Sequence, residues 1–261
     1  MVSKKELLKL VDIDLRFGGV HALKSLSFSV LEGSITSLIG PNGAGKTSLF
    51  NVISGFNKAN AGKIFYEGED ISTLKTHLRA KKGLARTFQN ISLFPGMTVL
   101  DNIKIGSHVN LNSGVFQNGF FSGAARKEET ELREFIEEEI IDFLEIDHIR
   151  KHPVSILPYG LQKRVELGRA LAMSPKVLLL DEPVAGMNRE ETEDMARFIL
   201  DIQEERNITI LLVEHDMHMV MDISDRIVVL NFGELISLGT PVQVSSDPKV
   251  VEAYLGKDNQ S

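Results

Sequence analysis

Apolar residues follow two rhythms along this chain. Leu8, Leu10, Ile13 and Leu15 stand among charged neighbours, and Leu26, Phe28 and Val30 recur at every second position. Period two is the repeat of a half-buried strand, so residues 8–39 are predicted to be strands with short connections. Ile35–Ile39 is a compact apolar run, followed by a Gly-rich turn at 40–45 and a helix-like segment at 47–54. Residues 64–66 and 84–88 read as further strands around a basic segment at 78–82.

From about residue 98 to 173 the rhythm becomes helical. Leu132, Phe135, Ile136, Ile140, Phe143 and Leu144 form one apolar stripe, and seven glutamates within 128–139 fall mostly off it. That is the composition of a helix with a solvated face. Residues 107–125 are rich in Gly, Asn and Ser with three Phe, and read as an inserted loop or irregular helix pair. After residue 175 strands alternate with helices: strand 177–181, helix 189–206, strand 208–213, helix 216–223, strand 226–231. Such alternation implies a parallel sheet covered on both faces. The expected architecture is one α/β domain over 1–261, its core built from 1–89 and 175–261, with a helical subdomain at 90–174 inserted between them.

Composition narrows the class. The 261 residues are 43% hydrophobic and 25% charged, which excludes disorder, collagen and coiled coil. There is no cysteine, so disulfide scaffolds, thiol nucleophiles and thiolate metal sites are excluded together. The longest apolar runs, such as 177–180 and 208–213, fall far short of the ~20 residues of a membrane span. The N-terminus has no apolar segment of secretory length, so the chain is expected to stay in the compartment where it is made. Thirty-six acids against 29 bases give a net charge of −7, which argues against broad nucleic-acid binding.

The turn after Ile39 carries the chemistry. Gly40, Pro41, Asn42, Gly43, Ala44, Gly45, Lys46 and Thr47 fit G-x-x-x-x-G-K-[ST] in full, with a strand before and a helix after. Its glycines let successive N–H groups point into one concavity, and the helix adds its dipole. Lys46 is placed to reach the β- and γ-phosphates of a nucleoside triphosphate, Thr47 to ligate Mg²⁺, and Ser48 to contact the α-phosphate. In the second half, an apolar strand delivers Asp181 to the carboxyl edge of the sheet, where it can hold a Mg²⁺ water. Glu182, one residue on, is placed as general base for an attacking water. The chain has no N-K-x-D motif for guanine, so adenine is the expected base.

These segments lie in an order that resembles the ATP-binding cassette ATPases, and most closely the ATPase subunits of branched-chain amino-acid importers. The resemblance is carried by Phe17-Gly-Gly-Val-His-Ala-Leu23, the P-loop, Arg86-Thr-Phe-Gln-Asn90 and Leu157 to Arg164. It continues through Leu180-Asp-Glu-Pro-Val-Ala-Gly-Met-Asn188, Val213-Glu-His-Asp-Met217, Gly239-Thr-Pro241 and Ala253-Tyr-Leu-Gly256. It implies a P-loop core of ABC ATPase type with an antiparallel β subdomain and the inserted α-helical subdomain. It implies that Phe17 stacks on adenine, that Gln89 touches Mg²⁺ and the attacking water, and that His215 contacts the γ-phosphate. Two such subunits clasp two ATP molecules head to tail, each P-loop facing the other's Tyr159, Gly160 and Gln162.

One segment departs from the superfamily pattern Leu-Ser-Gly-Gly-Gln. Here it reads Leu157, Pro158, Tyr159, Gly160, Leu161. Pro158 has neither hydroxyl nor backbone N–H, so the contact with the opposite subunit's ATP is expected to be weaker by ~1.5–3 kcal/mol. Gly160 still opens a helix, whose N-terminus can face phosphate. Asn188 likewise stands where an aspartate is common. The resemblance implies a peripheral subunit at the cytoplasmic face of a membrane, paired with a second ATPase subunit, identical or not. Membrane permeases would dock on the helical subdomain and the Gln89 loop, and an extracytoplasmic binding protein would take part indirectly. Other substrates (urea, short amides, exported lipopolysaccharide) and a soluble ABC mechanoenzyme are the alternatives.

Overall fold

The computed structural model describes residues 5–89, 91–108 and 123–255. The chain opens with β1 (Glu6–Phe17) and β2 (Val20–Leu31), then β3 (Ile35–Ile39), α1 (Lys46–Ser54), β4 (Ala61–Tyr66) and β5 (Glu69–Asp70). After α2 (Thr76–Lys81) and β6 (Leu84–Arg86) it leaves the sheets for α3 (Val99–Ser107), α4 (Gly123–Ile136) and α5 (Tyr159–Leu171). It returns through β7 (Val177–Asp181), α6 (Arg189–Arg206), β8 (Thr209–Val213), α7 (Met217–Ile223) and β9 (Arg226–Asn231). It closes with β10 (Glu234–Gly239), α8 (Pro241–Ser245) and α9 (Pro248–Leu255).

Two sheets result. One is antiparallel, in the order β2-β1-β4-β5; the other has the order β10-β9-β3-β8-β7-β6 and is parallel except for β10. Every residue of β3, β7 and β8 is buried, as expected for inner strands covered on both faces. Strand alternation divides their side chains between two cores. Leu178, Leu180, Ile210 and Leu212 join the core built with α3, α5 and α6. Leu179, Leu211 and Val213 join the core shared with α1 and the antiparallel sheet.

This topology positions the site. Strands β3, β8, β7 and β6 run parallel, so their carboxyl ends reach one edge of the sheet. The segments that follow them, at 40–45, 214–215, 181–182 and 87–89, are therefore neighbours in space although distant in sequence.

The structure departs from the sequence expectations at four places. β6 ends at Arg86 rather than residue 88: Thr87 N still pairs with Leu179 O at 2.9 Å, but Phe88 N turns to the Glu166 carboxylate. The apolar stripe is not one uniform helix. α4 gives way to a π-helical turn at Glu137–Ile141, where Asp142 N donates to Glu137 O, and Ile140, Ile141 and Leu144 are all buried. The core sheet carries an antiparallel edge strand, β10, that the alternation pattern did not indicate. Helices α8 and α9 also went unpredicted, although Thr240, Pro241 and Gln243 form a capping box with proline in the first turn. Most of the segment 107–125 lies outside the described residues.

Candidate active site

The loop between β3 and α1 owes its shape to two glycines. Gly40 has φ 147°, and a Cβ there would overlap the Leu230 carbonyl oxygen of β9. Gly45 has φ 104°, with room for a Cβ blocked by Ala22 O at 2.7 Å. Both positions thus exclude side chains on conformation and on space. Helix α1 starts without a side-chain cap and without an acid in its first turn. Its N-terminal dipole is therefore not offset by a capping side chain or an acid, which favours an anion there. Lys46 is buried, and its Nζ donates to Gly40 O at 2.6 Å and Pro41 O at 3.1 Å.

A cleft of about 710 Å³ opens over this loop. Asn42, Gly43, Ala44, Gly45, Lys46, Thr47 and Ser48 line it, together with Phe17 and Val20 from the β1–β2 hairpin. Phe17 is half exposed there. Gln89, Glu182 and His215 line the same cleft. Gln89 Nε2 donates to Glu182 Oε2 at 2.9 Å, and His215 Nε2 lies 3.1 Å from Glu182 Oε1. Two residues that follow β6 and β8 thus converge on the carboxylate that follows β7. Glu182 itself has φ 51°, a left-handed conformation that costs a non-glycine residue of order 1 kcal/mol. Its N–H, bonded to Val213 O at 2.9 Å, holds it there.

Asp181 does not line the cleft. It is 2% exposed, and Oδ2 accepts from Arg86 Nη2 at 2.7 Å. Its Oδ1 is buried without a hydrogen-bond partner among the described residues. The carboxylate thus keeps one oxygen in reserve, which fits a group that shares a hydrated cation.

Buried charge underlies the exposed trio. Lys163 of α5 donates to Gln89 O at 3.1 Å and approaches Glu182 O at 3.5 Å, with Glu166 3.9 Å away. Burial pulls the Lys163 ammonium below its ordinary range and pushes the Glu166 carboxyl up. Glu214 is buried too; it accepts from Val184 N at 3.0 Å and His215 N at 2.8 Å, tying the loops after β7 and β8 together. Burial raises its pKa, against the lowering effect of those amides. Sequence reasoning did not single out Arg86, Lys163, Glu166 or Glu214 as site residues. Arg86 and Glu214 adjoin apolar runs, whereas Lys163 and Glu166 sit in a mixed polar stretch that carries no distinguishing signal.

The segment around Tyr159, Gly160 and Gln162 lies outside the cleft. The Tyr159 ring is 43% exposed, and Gln162 Nε2 turns back to Leu157 O at 2.8 Å. A Cβ on Gly160 would overlap the Glu191 carboxylate, which is engaged in the capping box of α6 with Asn188. The N-termini of α5 and α6 therefore meet in one corner.

A P-loop, an acidic strand end and a histidine on a parallel sheet, joined to an antiparallel sheet and an inserted helical segment, define an ABC-type ATPase. The chain belongs to the ABC transporter ATP-binding family, whose profile matches residues 23–185, enzymes that couple ATP hydrolysis to transport. A second profile, branched-chain amino acid ATP-binding cassette transporter, matches residues 234–259. The chain is 40% identical to the high-affinity branched-chain amino acid transport ATP-binding protein BraF of Pseudomonas aeruginosa, over 97% of this chain and 99% of that one. Identity to the corresponding LivG of Escherichia coli K12 is 38%, over 96% and 98%. Among solved structures, an ATP-binding cassette of an ABC transporter in its ADP conformation matches with TM-score 0.84 and 36% identity, over 97% and 99% of the chains. A dimeric cassette bound to ADP and Pi matches at TM-score 0.75 and 25% identity, over 90% and 98%. No helix among the described residues is long and apolar enough to cross a membrane.

Proposed function

We propose that this chain binds ATP with Mg²⁺ in the P-loop cleft, hydrolyses it at Glu182, and thereby powers import of branched-chain or similar hydrophobic amino acids. The observation that carries the catalytic part is the convergence of Gln89 and His215 on Glu182 within the cleft floored by Lys46 and Thr47. Phe17 offers a ring face for adenine. The amides of Gly43, Gly45, Lys46 and Thr47 and the Lys46 ammonium receive the phosphates, with Ser48 on the α-phosphate. Glu182, held by two hydrogen-bond partners, takes the proton of the attacking water. His215 faces the γ-phosphate.

Thr47, Gln89 and Asp181 are the residues that would hold Mg²⁺, which supplies charge neutralisation at the transferring phosphate. Among the described residues no cluster of three His, Asp or Glu could hold a metal alone. A cation bound jointly with substrate phosphates needs none.

Two copies in head-to-tail contact would bring each Tyr159–Gly160 corner against the other copy's nucleotide, which accounts for that corner's exposure and its distance from the cleft. Closure of the pair drives separate permease chains at the cytoplasmic face of a membrane, docked on the helical segment and the Gln89 loop. The substrate assignment rests on the BraF and LivG relatives and on the profile at 234–259. Gentle affinity purification from native membranes tests the whole reading. Recovery with two multi-span permeases and a second cassette is expected. Recovery only from the soluble fraction, with no membrane protein attached, would shift the assignment to a soluble mechanoenzyme.

A further inference from the structure

Arg86 is the most heavily engaged side chain near the site, and nothing in the proposed hydrolysis uses it. It is 7% exposed, and its guanidinium makes three side-chain hydrogen bonds: Nη2 to Asp181 Oδ2 at 2.7 Å, Nη1 to Asn51 Oδ1 at 2.7 Å and to Ser54 Oγ at 2.9 Å. Three rings surround it, Phe88 at 5.3 Å, Phe50 at 5.5 Å and Phe56 at 5.8 Å from its Cζ. Ring faces and hydrogen bonds together offset the desolvation of a buried guanidinium.

The geometry of the ion pair shows what the arrangement is for. An arginine that only clips two elements together has a two-bonded fork available, both nitrogens of one edge meeting both carboxylate oxygens. Here the fork is not closed. Arg86 Nε and Asp181 Oδ1 are both buried, and neither finds a partner among the described residues. Leaving two buried polar atoms unpaired costs about 1–3 kcal/mol each. A structural clip gives no return for that cost, whereas a carboxylate kept half-free for a cation does.

We propose that Arg86 is the positioning residue of the metal carboxylate. Anchored by Asn51 and Ser54 of α1 and walled by Phe50, Phe56 and Phe88, it fixes Asp181 by one oxygen and presents the other to hydrated Mg²⁺. Because Asn51 and Ser54 belong to the helix that begins at Lys46 and Thr47, the same guanidinium sets the metal carboxylate relative to the phosphate loop. Phe56 is largely exposed and packs edge-on against Phe88 with centroids 5.8 Å apart, so one wall of the cage lies at the surface.

This inference rests on the reading of Asp181 as a metal holder, and the test separates the two. The probe is Mn²⁺, titrated by electron paramagnetic resonance against the full chain loaded with a non-hydrolysable ATP analogue; nucleotide affinity without metal is measured in parallel. Arg86→Met is expected to weaken Mn²⁺ by about tenfold or more, as loss of a second partner of a metal ligand does. Metal-free nucleotide affinity should stay unchanged. Arg86→Lys should recover part of the loss, since one ammonium cannot span Asp181, Asn51 and Ser54 together. Phe56→Ala, which opens the cage from the surface, should weaken Mn²⁺ about twofold. Asp181→Asn is the reference. If it leaves Mn²⁺ binding unchanged, the metal reading itself fails. If it weakens Mn²⁺ while Arg86→Met does not, the positioning role alone is overturned. Loss of metal-free nucleotide binding in both Arg86 variants also overturns it, because Arg86 would then serve the fold.

Discussion

The two glycine-containing segments of this chain that face phosphate in the proposed cycle are built in opposite ways. The P-loop is finished within one chain: Gly40 and Gly45 are wedged against neighbouring backbone, Lys46 is buried on the loop's own carbonyls, and a cleft stands open above. The corner at Pro158–Tyr159–Gly160 lies outside that cleft. Its tyrosine is exposed, Ile156 beside it is 65% exposed, and Pro158 offers no donor. In the proposed cycle, the difference means that the chain carries one half-site in its own cleft and one surface that a second molecule meets. Mutations at the two places should therefore separate hydrolysis from association.

The largest expected effect sharpens the comparison from the cleft side. Glu182→Gln keeps a side chain of the same shape beside Gln89 and His215 but removes the base. Phosphate release should fall by about 10²–10⁴-fold while ATP affinity is kept, and the ATP-bound pair should accumulate in gel filtration. Normal turnover in this variant would remove Glu182 from the role proposed for it.

The corner is probed by restoring what Pro158 lacks. Pro158→Ser introduces a hydroxyl and a backbone N–H where α5 begins. If this corner meets the other copy's nucleotide, the ATP-dependent dimer should tighten by ~1.5 kcal/mol, a little over tenfold. ATP affinity of the single chain should not change. Sedimentation in the presence of ATP reads the first quantity and titration of dilute protein reads the second. An unaltered dimer constant would break the comparison, because the corner would then not be part of an ATP-dependent interface.

How much of this could be read before folding depends on whether the signal was local. The P-loop was legible because one unbroken stretch from Gly40 to Thr47 carries both the backbone shape and the charge. The inner strands were legible because burial on two faces leaves continuous apolar runs, as in Val177–Asp181 and Thr209–Val213. The buried charges were not. Arg86, Glu214 and the α5 pair Lys163 and Glu166 come from three segments, and only the topology brings them to the edge where the strands end. Nothing in the neighbours of Glu214 says that it will accept from Val184, which is 30 positions away. Likewise β6 stops short because a carboxylate from α5 takes the amide of Phe88. Helix α8 is legible in the sequence through the Thr240–Gln243 capping box with proline in the first turn.

A third variant tests whether the corner has a structural share as well. Asn188 caps α6: its Oδ1 accepts from Glu191 N at 3.0 Å, and Glu191 Oε2 accepts from Asn188 N at 3.0 Å. Asn188→Ala should cost ~1 kcal/mol of stability in denaturant unfolding. Because Glu191 also fills the space above Gly160, releasing it should weaken the ATP-dependent dimer without touching single-chain ATP affinity. Loss of ATP affinity in this variant would mean that corner and cleft are coupled within one chain, contrary to the division drawn above.

The smallest effect concerns the buried carboxylate between the two regions. Glu214 ties Val184, in the segment leading to the corner, to His215, in the cleft. Burial raises its pKa above the ordinary 4.5, so the native protein binds this proton more tightly than the unfolded chain does. The stability it contributes is then fully present below pH 4.5 and is lost as pH rises through the raised value. Glu214→Gln cannot ionise. Its lost or strained hydrogen bonds add an offset that does not vary with pH, whereas the wild-type term does vary. Unfolding by urea at a series of pH values from 4.5 upward should therefore show wild type losing ground to the variant over the window where Glu214 ionises in the native state. A gap that stays constant with pH would mean that the amides of Val184 and His215 compensate the ionised carboxylate fully. A gap that moves the other way would mean that they hold it as a charge, making the link between corner and cleft electrostatic at neutral pH.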